Sequence, residues 1–322
     1  MSRALPKGSR LRAELLPLLL FAALAAAPFI AEALGEGFYV KQLARVMIFA
    51  IAALALDLVL GIGGMVSFGH AAFIGVGAYT VGIMAEHGIV SGFAQWPLAI
   101  AFSGLAALMI GALSLRTSGV YFIMITLAFA QMLYYTATSL SRYGGDDGLT
   151  IWDRSAFAGL LDLSDSHVFY GVVWLVLLAA YLFLRRVARS RFGRVIAGCR
   201  ENERRMQAIG YDTYRYKLAA FTLSGALAGL AGVLLANHTE FVSPAYMAWT
   251  RSGELIVMLV IGGLGSLHGA ILGAIVFLML EELLAGLTEH WMLVMGPLVI
   301  LIVRYARGGL VRLLPGGRAG PS

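Results

Sequence analysis

The chain reads as an all-α, polytopic membrane protein of about ten transmembrane helices, some short or re-entrant, with both termini cytoplasmic. Three observations carry that reading. Of 322 residues, 60% are hydrophobic and only 13% charged, with a mean hydropathy of +0.83, a balance that a soluble core of this length cannot hide. Apolar runs recur along the whole chain. One long polar segment, Arg185 to Lys217, interrupts them with ten Lys/Arg against three acids, a net of +7 where the whole chain carries +6. A basic segment between two apolar runs is a cytoplasmic loop by the positive-inside rule.

In chain order, residues 1–14 form a basic cytoplasmic segment with Arg3, Lys7, Arg10 and Arg12, residues 15–307 the transmembrane unit, and 308–322 a cytoplasmic tail. The first apolar run, Leu15 to Ala31, is long enough to cross a bilayer. Ala31-Glu32-Ala33 resembles a small-x-small cleavage site, but the run is long for a signal peptide and further spans follow at once, so it reads as a retained span. The next runs are Val46 to Gly61, Ala71 to Ala85, Pro97 to Leu115, Val120 to Thr138, His167 to Leu184, Leu218 to Ala236, Leu255 to Gly265, Gly269 to Gly286 and Trp291 to Val303. Leu255 to Gly265 makes only about 16 Å of helix against a hydrocarbon core of about 30 Å. It either tilts into its flanks or is a re-entrant half-helix.

Charge counting supports the orientation. Ten spans with a cytoplasmic start put 19 Lys/Arg inside and five outside, namely Lys41, Arg45, Arg142, Arg154 and Arg251. The external loop 139–166 also carries five aspartates. The pI near 9.5 therefore reflects cations that flank membrane segments and meet anionic lipid, and nucleic-acid binding is not expected.

No enzyme signature is present. The three lysines, Lys7, Lys41 and Lys217, follow Pro6, Val40 and Tyr216, so no Gly-Lys-Ser/Thr phosphate loop exists. There is no H-E-x-x-H and no G-x-S-x-G, the six histidines are scattered, and a single cysteine, Cys199, excludes a disulfide within the chain. No catalytic residue, metal ligand or cofactor is expected. Asn237-His238-Thr239 matches a glycosylation sequon, a weak three-residue pattern.

The positive signals are glycine clusters at membrane depth. In GIGGMVSFGHAAFIGVGAYTVG, Gly61 to Gly82, glycines interrupt one apolar run and thin the next. Unwound backbone in a bilayer survives only where protein covers it or it lines a wet cavity, so Ser67, Gly69, His70, Gly75, Gly77 and Tyr79 are the candidate substrate pathway. Close helix packing through small residues explains the same glycines, and a packing role explains His70. Asp57, near the inner end of the second span, is a carboxylate without acidic neighbours at depth; Glu281 and Glu282 lie near the outer end of the ninth. One isolated acid is poor support for a proton relay. A second cluster, GGLGSLHG at Gly262 to Gly269, separates the eighth and ninth runs, and Gly145, Asp146, Asp147 and Gly148 form an acidic turn in the external loop.

Inside the cytoplasmic loop 185–217, Phe192, Val195, Ile196 and Cys199 recur at i, i+3, i+4 and i+7 and make one apolar stripe, with Arg191, Arg194, Arg204 and Arg205 away from it. Asn202 suits an N-cap, Glu203 the positive helix end and Gly210 a left-handed C-cap, which predicts a short helix over Glu203 to Ile209. So short a helix is not stable alone in water, and it must dock on a partner or on lipid headgroups.

Four blocks, LDLVLGIGGMVSFGHAAFIGVGAYT, YGGDDGL, SRFGRVIAGCRENERRMQAIG continuing through KLAAFTLSGALAGLAGVLLA, and VSPAYMAWTRSGELIVMLVIGGLGSLHGAILGA, resemble the LivM-type permease subunit of branched-chain amino acid ABC importers. They cover about residues 56–274 in the family's order, and Asp57 stands where the family usually has asparagine. The resemblance implies a subunit of the bacterial inner membrane that hydrolyses no ATP itself. Its implied partners are a second homologous permease, two cytosolic ATPases and a periplasmic substrate-binding protein. It also implies that Arg194, Arg200, Glu201, Asn202, Glu203, Ala208 and Gly210 form the helix that couples to an ATPase. Relatives carrying urea, short amides or aromatic acids fit the same blocks, and a proton-coupled carrier or channel would explain the spans without the basic loop.

Overall fold

A computed structural model describes residues 7–33, 37–157, 162–305 and 308–313; Arg3, Arg307 and Arg318 lie outside them. Eleven α-helices are described: α1 (Lys7–Ala33), α2 (Gly37–Asp57), α3 (His70–Glu86), α4 (Gly92–Ser114), α5 (Val120–Ser139), α6 (Ser166–Arg189), α7 (Arg191–Ala208), α8 (Thr213–Thr239), α9 (Trp249–Gly262), α10 (Leu267–Leu287) and α11 (Trp291–Tyr305). Two two-residue strands, β1 (Leu149–Thr150) and β2 (Phe241–Val242), pair antiparallel. Six helices are long and apolar enough to cross a membrane: α2 with its π-helical extension, α4, α5, α6, α8 and α10. Shorter apolar stretches lie within α1 and α11.

Helix α2 is the axis of the molecule. Every residue from Val46 to Asp57 is buried, as a helix apolar all round must be. Neighbours α6, α8, α9 and α10 surround it, while α8 also packs along α3 and α4. Backbones approach through glycine: a Cβ on Gly77 would strike the Gly229 carbonyl, and one on Gly273 the Met258 carbonyl. Small residues at such seams admit van der Waals contact where lipid supplies no hydrophobic drive between helices.

Helix α1 is part of this packing. Pro28 has no N–H to give to the Leu24 carbonyl, and the Tyr170 hydroxyl of α6 donates to that oxygen at 2.6 Å. Phe21 sits edge-on to Trp174 at 6.3 Å.

Helices α2 and α9 begin well before the apolar runs expected there: α2 starts at Gly37 rather than Val46, taking in Lys41 and Arg45, and α9 also starts early. The run expected at Leu255 begins at Trp249, because Arg251 and Glu254 pair at 2.7 Å within one helical turn and so join the helix as a neutral unit. Even so, α9 has 14 residues, about 21 Å at 1.5 Å each. The chain ahead of it, β2 and a 3₁₀ turn at Pro244–Met247, is not α-helical. Between α2 and α3, a π-turn at Leu58–Ile62 leads into non-helical chain, and α3 starts at His70, beside the expected Ala71. Helices α3 and α9, of 17 and 14 residues, each follow a non-helical segment.

Candidate functional site

Helices α3 and α9 meet at their N-terminal turns. The Ala71 amide, free at the start of α3, donates to the Ser252 hydroxyl of α9 at 3.0 Å, which satisfies one of the orphan donors of a helix N-terminus. Ser67 accepts from the Gly69 amide at 3.2 Å, and Thr126 of α5 accepts from Phe68 at 3.4 Å. Met247 of the 3₁₀ turn lies over Gly75, where any Cβ would overlap its side chain.

The candidate pathway residues lie in the interior. Ser67 and His70 have no exposed surface and Tyr79 is 5% exposed. His70 is wedged edge-on between Phe73 and Phe221, with Nε2 2.8 Å from the Ser224 hydroxyl; Ser224 in turn donates to the Ala55 carbonyl. That is packing geometry, and it ties α3, α8 and α2 together at one level.

Two residues further along α2, at its last residue, the Asp57 Oδ1 accepts from the Gly265 amide at 2.8 Å. Arg200 of α7 donates to the Gly61 carbonyl, lays its stem across Gly64, and is the cation acting on Asp57. Gly61 has no room for a Cβ between the Asp57 carboxylate and the Gly265 amide. Gly64, at φ +68°, turns the chain in a way a side chain resists. Both glycine clusters thus converge on one node beside the basic loop 185–217. Arg200, an exposed residue, reaches the Gly61 turn with its guanidinium, although the sequence groups it with the residues held up to a partner.

The rest of the loop follows the sequence. Val195, Ile196 and Cys199 are buried and Arg191, Arg194, Arg204 and Arg205 exposed; burial raises the Cys199 thiol above its ordinary range. A break at Asn202 (φ −159°, ψ 97°) divides α7 in two, so that the stretch from Glu203 to Ala208 is the separate short helix the sequence predicts. There Asn202 Oδ1 accepts from the Arg205 amide at 2.9 Å, the expected cap. The Tyr211 amide donates to Met206 at 3.1 Å and that of Gly210 to Gln207 at 2.9 Å, a Schellman closure around Gly210 at φ +92°. Glu201 and Ala208 are exposed, as is Ile209, at 63%. Glu203 pairs with Lys217 of α8 at 2.6 Å.

At the other end, Gly145 is buried while Asp146 and Asp147 are exposed. Gly148, at φ +87°, packs against Phe241 and the Val242 carbonyl, which holds the acidic turn on β2. The sequon fails on burial: Asn237 is 1% exposed and its Oδ1 accepts from Ser155 at 2.8 Å. A cavity of about 330 Å³ opens among α2, α3, α8 and α9, with Arg45 and Arg251 in its wall. Both had counted only as external-loop cations. The available signal was position, since each stands within a few residues of an apolar run. Among the described residues no cluster of three His, Cys, Asp or Glu could hold a metal.

Six helices long and apolar enough to cross a membrane, with a basic segment between α6 and α8, fit a multi-pass membrane protein. The family described as "Branched-chain amino acid transport system / permease component" matches residues 38–303, and the chain belongs to that family. It is 31% identical over 288 residues to the high-affinity branched-chain amino acid transport system permease protein LivM of Escherichia coli K12, covering 82% of this chain and 68% of that one. It is 26% identical to the probable LivM permease of Methanocaldococcus jannaschii, over 82% and 90% of the two chains. The LivH permease of Salmonella typhimurium is 25% identical, over 82% and 91%. No solved structure matches. The chain is accordingly a permease subunit, not itself an enzyme.

Proposed function

We propose that this chain is one of two homologous permease subunits of an ATP-driven importer for branched-chain amino acids in a bacterial inner membrane. Two cytosolic ATPases and a periplasmic binding protein complete the assembly. The observation that carries the reading is the node at Arg200. The loop tip from Asn202 to Gly210 is exposed for a cytosolic partner, while Arg200, two residues before the break, grips the Gly61 turn beside the Gly265 turn. Force applied at the tip reaches both turns through one side chain.

In this reading α1 to α6 and α8 to α11 cross the membrane, ten passages with both termini cytoplasmic and residues 139–166 facing the binding protein. Backbone unwound inside a bilayer is tolerated where protein covers it or a cavity needs it, and a path between α3 and α9 fits that rule. The test is the purified assembly in proteoliposomes: leucine-loaded binding protein should stimulate ATP hydrolysis and leucine entry together. Stimulation by urea or an aromatic acid and not by leucine would replace the cargo, and a leucine flux without ATP would replace the importer.

A further inference from the structure

The outer cavity brings together two kinds of wall. Arg45 and Arg251 line it together with the apolar Phe49, Ile74 and Leu235, and with Tyr246. Its volume of about 330 Å³ is at the lower end of small-molecule sites, about 300 to 1,000 Å³. Each arginine is held from behind by a carboxylate: Arg45 by Glu281 at 3.3 Å and Arg251 by Glu254 at 2.7 Å. The Arg45 guanidinium is also 5.9 Å from the centre of the Phe49 ring. Each of these ion pairs is described through a single guanidinium nitrogen, whereas a guanidinium carries five donors in a fixed fork. Charged side chains at membrane depth are costly and mark ligand sites when they face a cavity.

Resting on the importer reading, we infer that this cavity is a binding site for an α-amino acid with an aliphatic side chain, within the permease itself. The carboxylate engages the free donors of Arg45 and Arg251, which suit its planar geometry. The aliphatic chain lies on Phe49, Ile74 and Leu235. Tyr246 donates its hydroxyl hydrogen to Thr239 at 3.2 Å, and the lone pairs left on that oxygen accept from the ammonium group. The glutamates keep the empty site near neutral and the forks pre-aligned. Selectivity then resides in this chain as well as in a binding protein: a solute lacking the carboxylate loses the forks, and one with a charged side chain meets the apolar wall.

Thr239 lines the same cavity, and a cysteine there, in a Cys199→Ser background, reports occupancy in intact cells. A membrane-impermeant maleimide should label Thr239→Cys about tenfold more slowly with about 10 mM leucine present, as a site with a Kd of about 1 mM gives. Leucinol, without the carboxylate, and lysine, with a charged side chain, should leave the rate unchanged. Adding Arg45→Gln with Glu281→Gln, or Arg251→Gln with Glu254→Gln, removes each pair without stranding a charge and should abolish the protection. Equal protection by leucine and leucinol, or none by leucine, overturns the site, and this comparison needs no arginine variant to fold. Protection by leucine in an assembly whose ATPase ignores leucine-loaded binding protein leaves the site standing and overturns the importer reading instead.

Discussion

The Asp57 carboxylate at the end of α2 accepts a hydrogen bond from the amide of Gly265, 208 positions later, at 2.8 Å. The bond needs an oxygen acceptor at Oδ1, and an asparagine amide supplies one in the same place. Asp57→Asn should therefore keep folding and uptake, while Asp57→Ala leaves the Gly265 amide short of a partner. A buried donor so stranded costs about 1 to 3 kcal/mol. Thermal unfolding of the detergent-solubilised protein should separate the two variants. Equal loss in both would show that the charge facing Arg200, and not the bond, holds the turn.

Arg200 offers the complementary test. It donates to the Gly61 carbonyl and covers Gly64, so Arg200→Ala should cut the tie between loop and spans while the loop tip keeps its own caps. The expected phenotype is normal co-purification with the ATPases, ATP hydrolysis no longer stimulated by the binding protein, and lost uptake. Arg200→Lys cannot reproduce the fork and should recover only part of the coupling. Loss of ATPase binding in Arg200→Ala would return this residue to the docking surface.

The glycines of α3 separate by what faces them. Gly75 meets the flexible Met247 side chain, and Gly77 the Gly229 carbonyl of α8. A methionine can move and a helix carbonyl cannot, so Gly77→Ala should be the more damaging single-methyl insertion. Gly75→Leu exceeds what Met247 can yield, an overpacking cost of about 1 to 3 kcal/mol, and should block uptake. Protein yield and leucine uptake measured side by side decide the order; normal uptake in Gly75→Leu would place that face outside the pathway.

What was legible follows from the physics of each signal. Hydropathy found the long apolar runs because a bilayer demands them, and charge asymmetry found the loop. It misjudged the start of α9, since Arg251 and Glu254 look hydrophilic singly and neutral once paired. Asn202 and Gly210 were readable because caps are local, involving bonds over three to five residues. Asp57 to Gly265 and Arg45 to Glu281 were not, because they join positions more than 200 residues apart and no periodicity records them. The same limit hid the cavity, whose wall comes from four helices and the 3₁₀ turn.

Topology is open to chemical labelling. A cysteine at Arg204, an exposed position on the loop, in a Cys199→Ser background should resist impermeant thiol reagents in intact cells and react after permeabilisation. Cys199 itself is 5% exposed and burial holds its thiol above the ordinary range. At neutral pH less of it is thiolate, so its labelling in permeabilised cells should stay slow and climb only as pH rises past the normal thiol value. Ready labelling at Arg204 from outside would invert the orientation.

The contact that would energise the permease is the loop tip, and Gly210 tests it. Its φ of +92° closes the helix, while a Cβ there would meet nothing within 4 Å. Any penalty on substitution is then backbone strain rather than collision, about 1 to 2 kcal/mol for a non-glycine residue and worst for a β-branched one. Gly210→Val should misdirect the chain into α8 at the Schellman turn while the spans insert normally. A strain of that size weakens docking about tenfold, at about 1.4 kcal/mol per decade, so the ATPases should co-purify poorly and uptake should fail. Gly210→Asn should be milder, because asparagine tolerates left-handed backbone. Glu203→Ala acts in the same direction: it removes both a favourable charge at the start of the tip and the 2.6 Å pair with Lys217, each worth about 0.3 to 1 kcal/mol at a partly exposed site. Restoring uptake in Glu203→Ala by Lys217→Ala would assign its effect to the stranded lysine. Full ATPase binding and full uptake in Gly210→Val would remove this loop from coupling and leave it as an amphipathic connector on the headgroups.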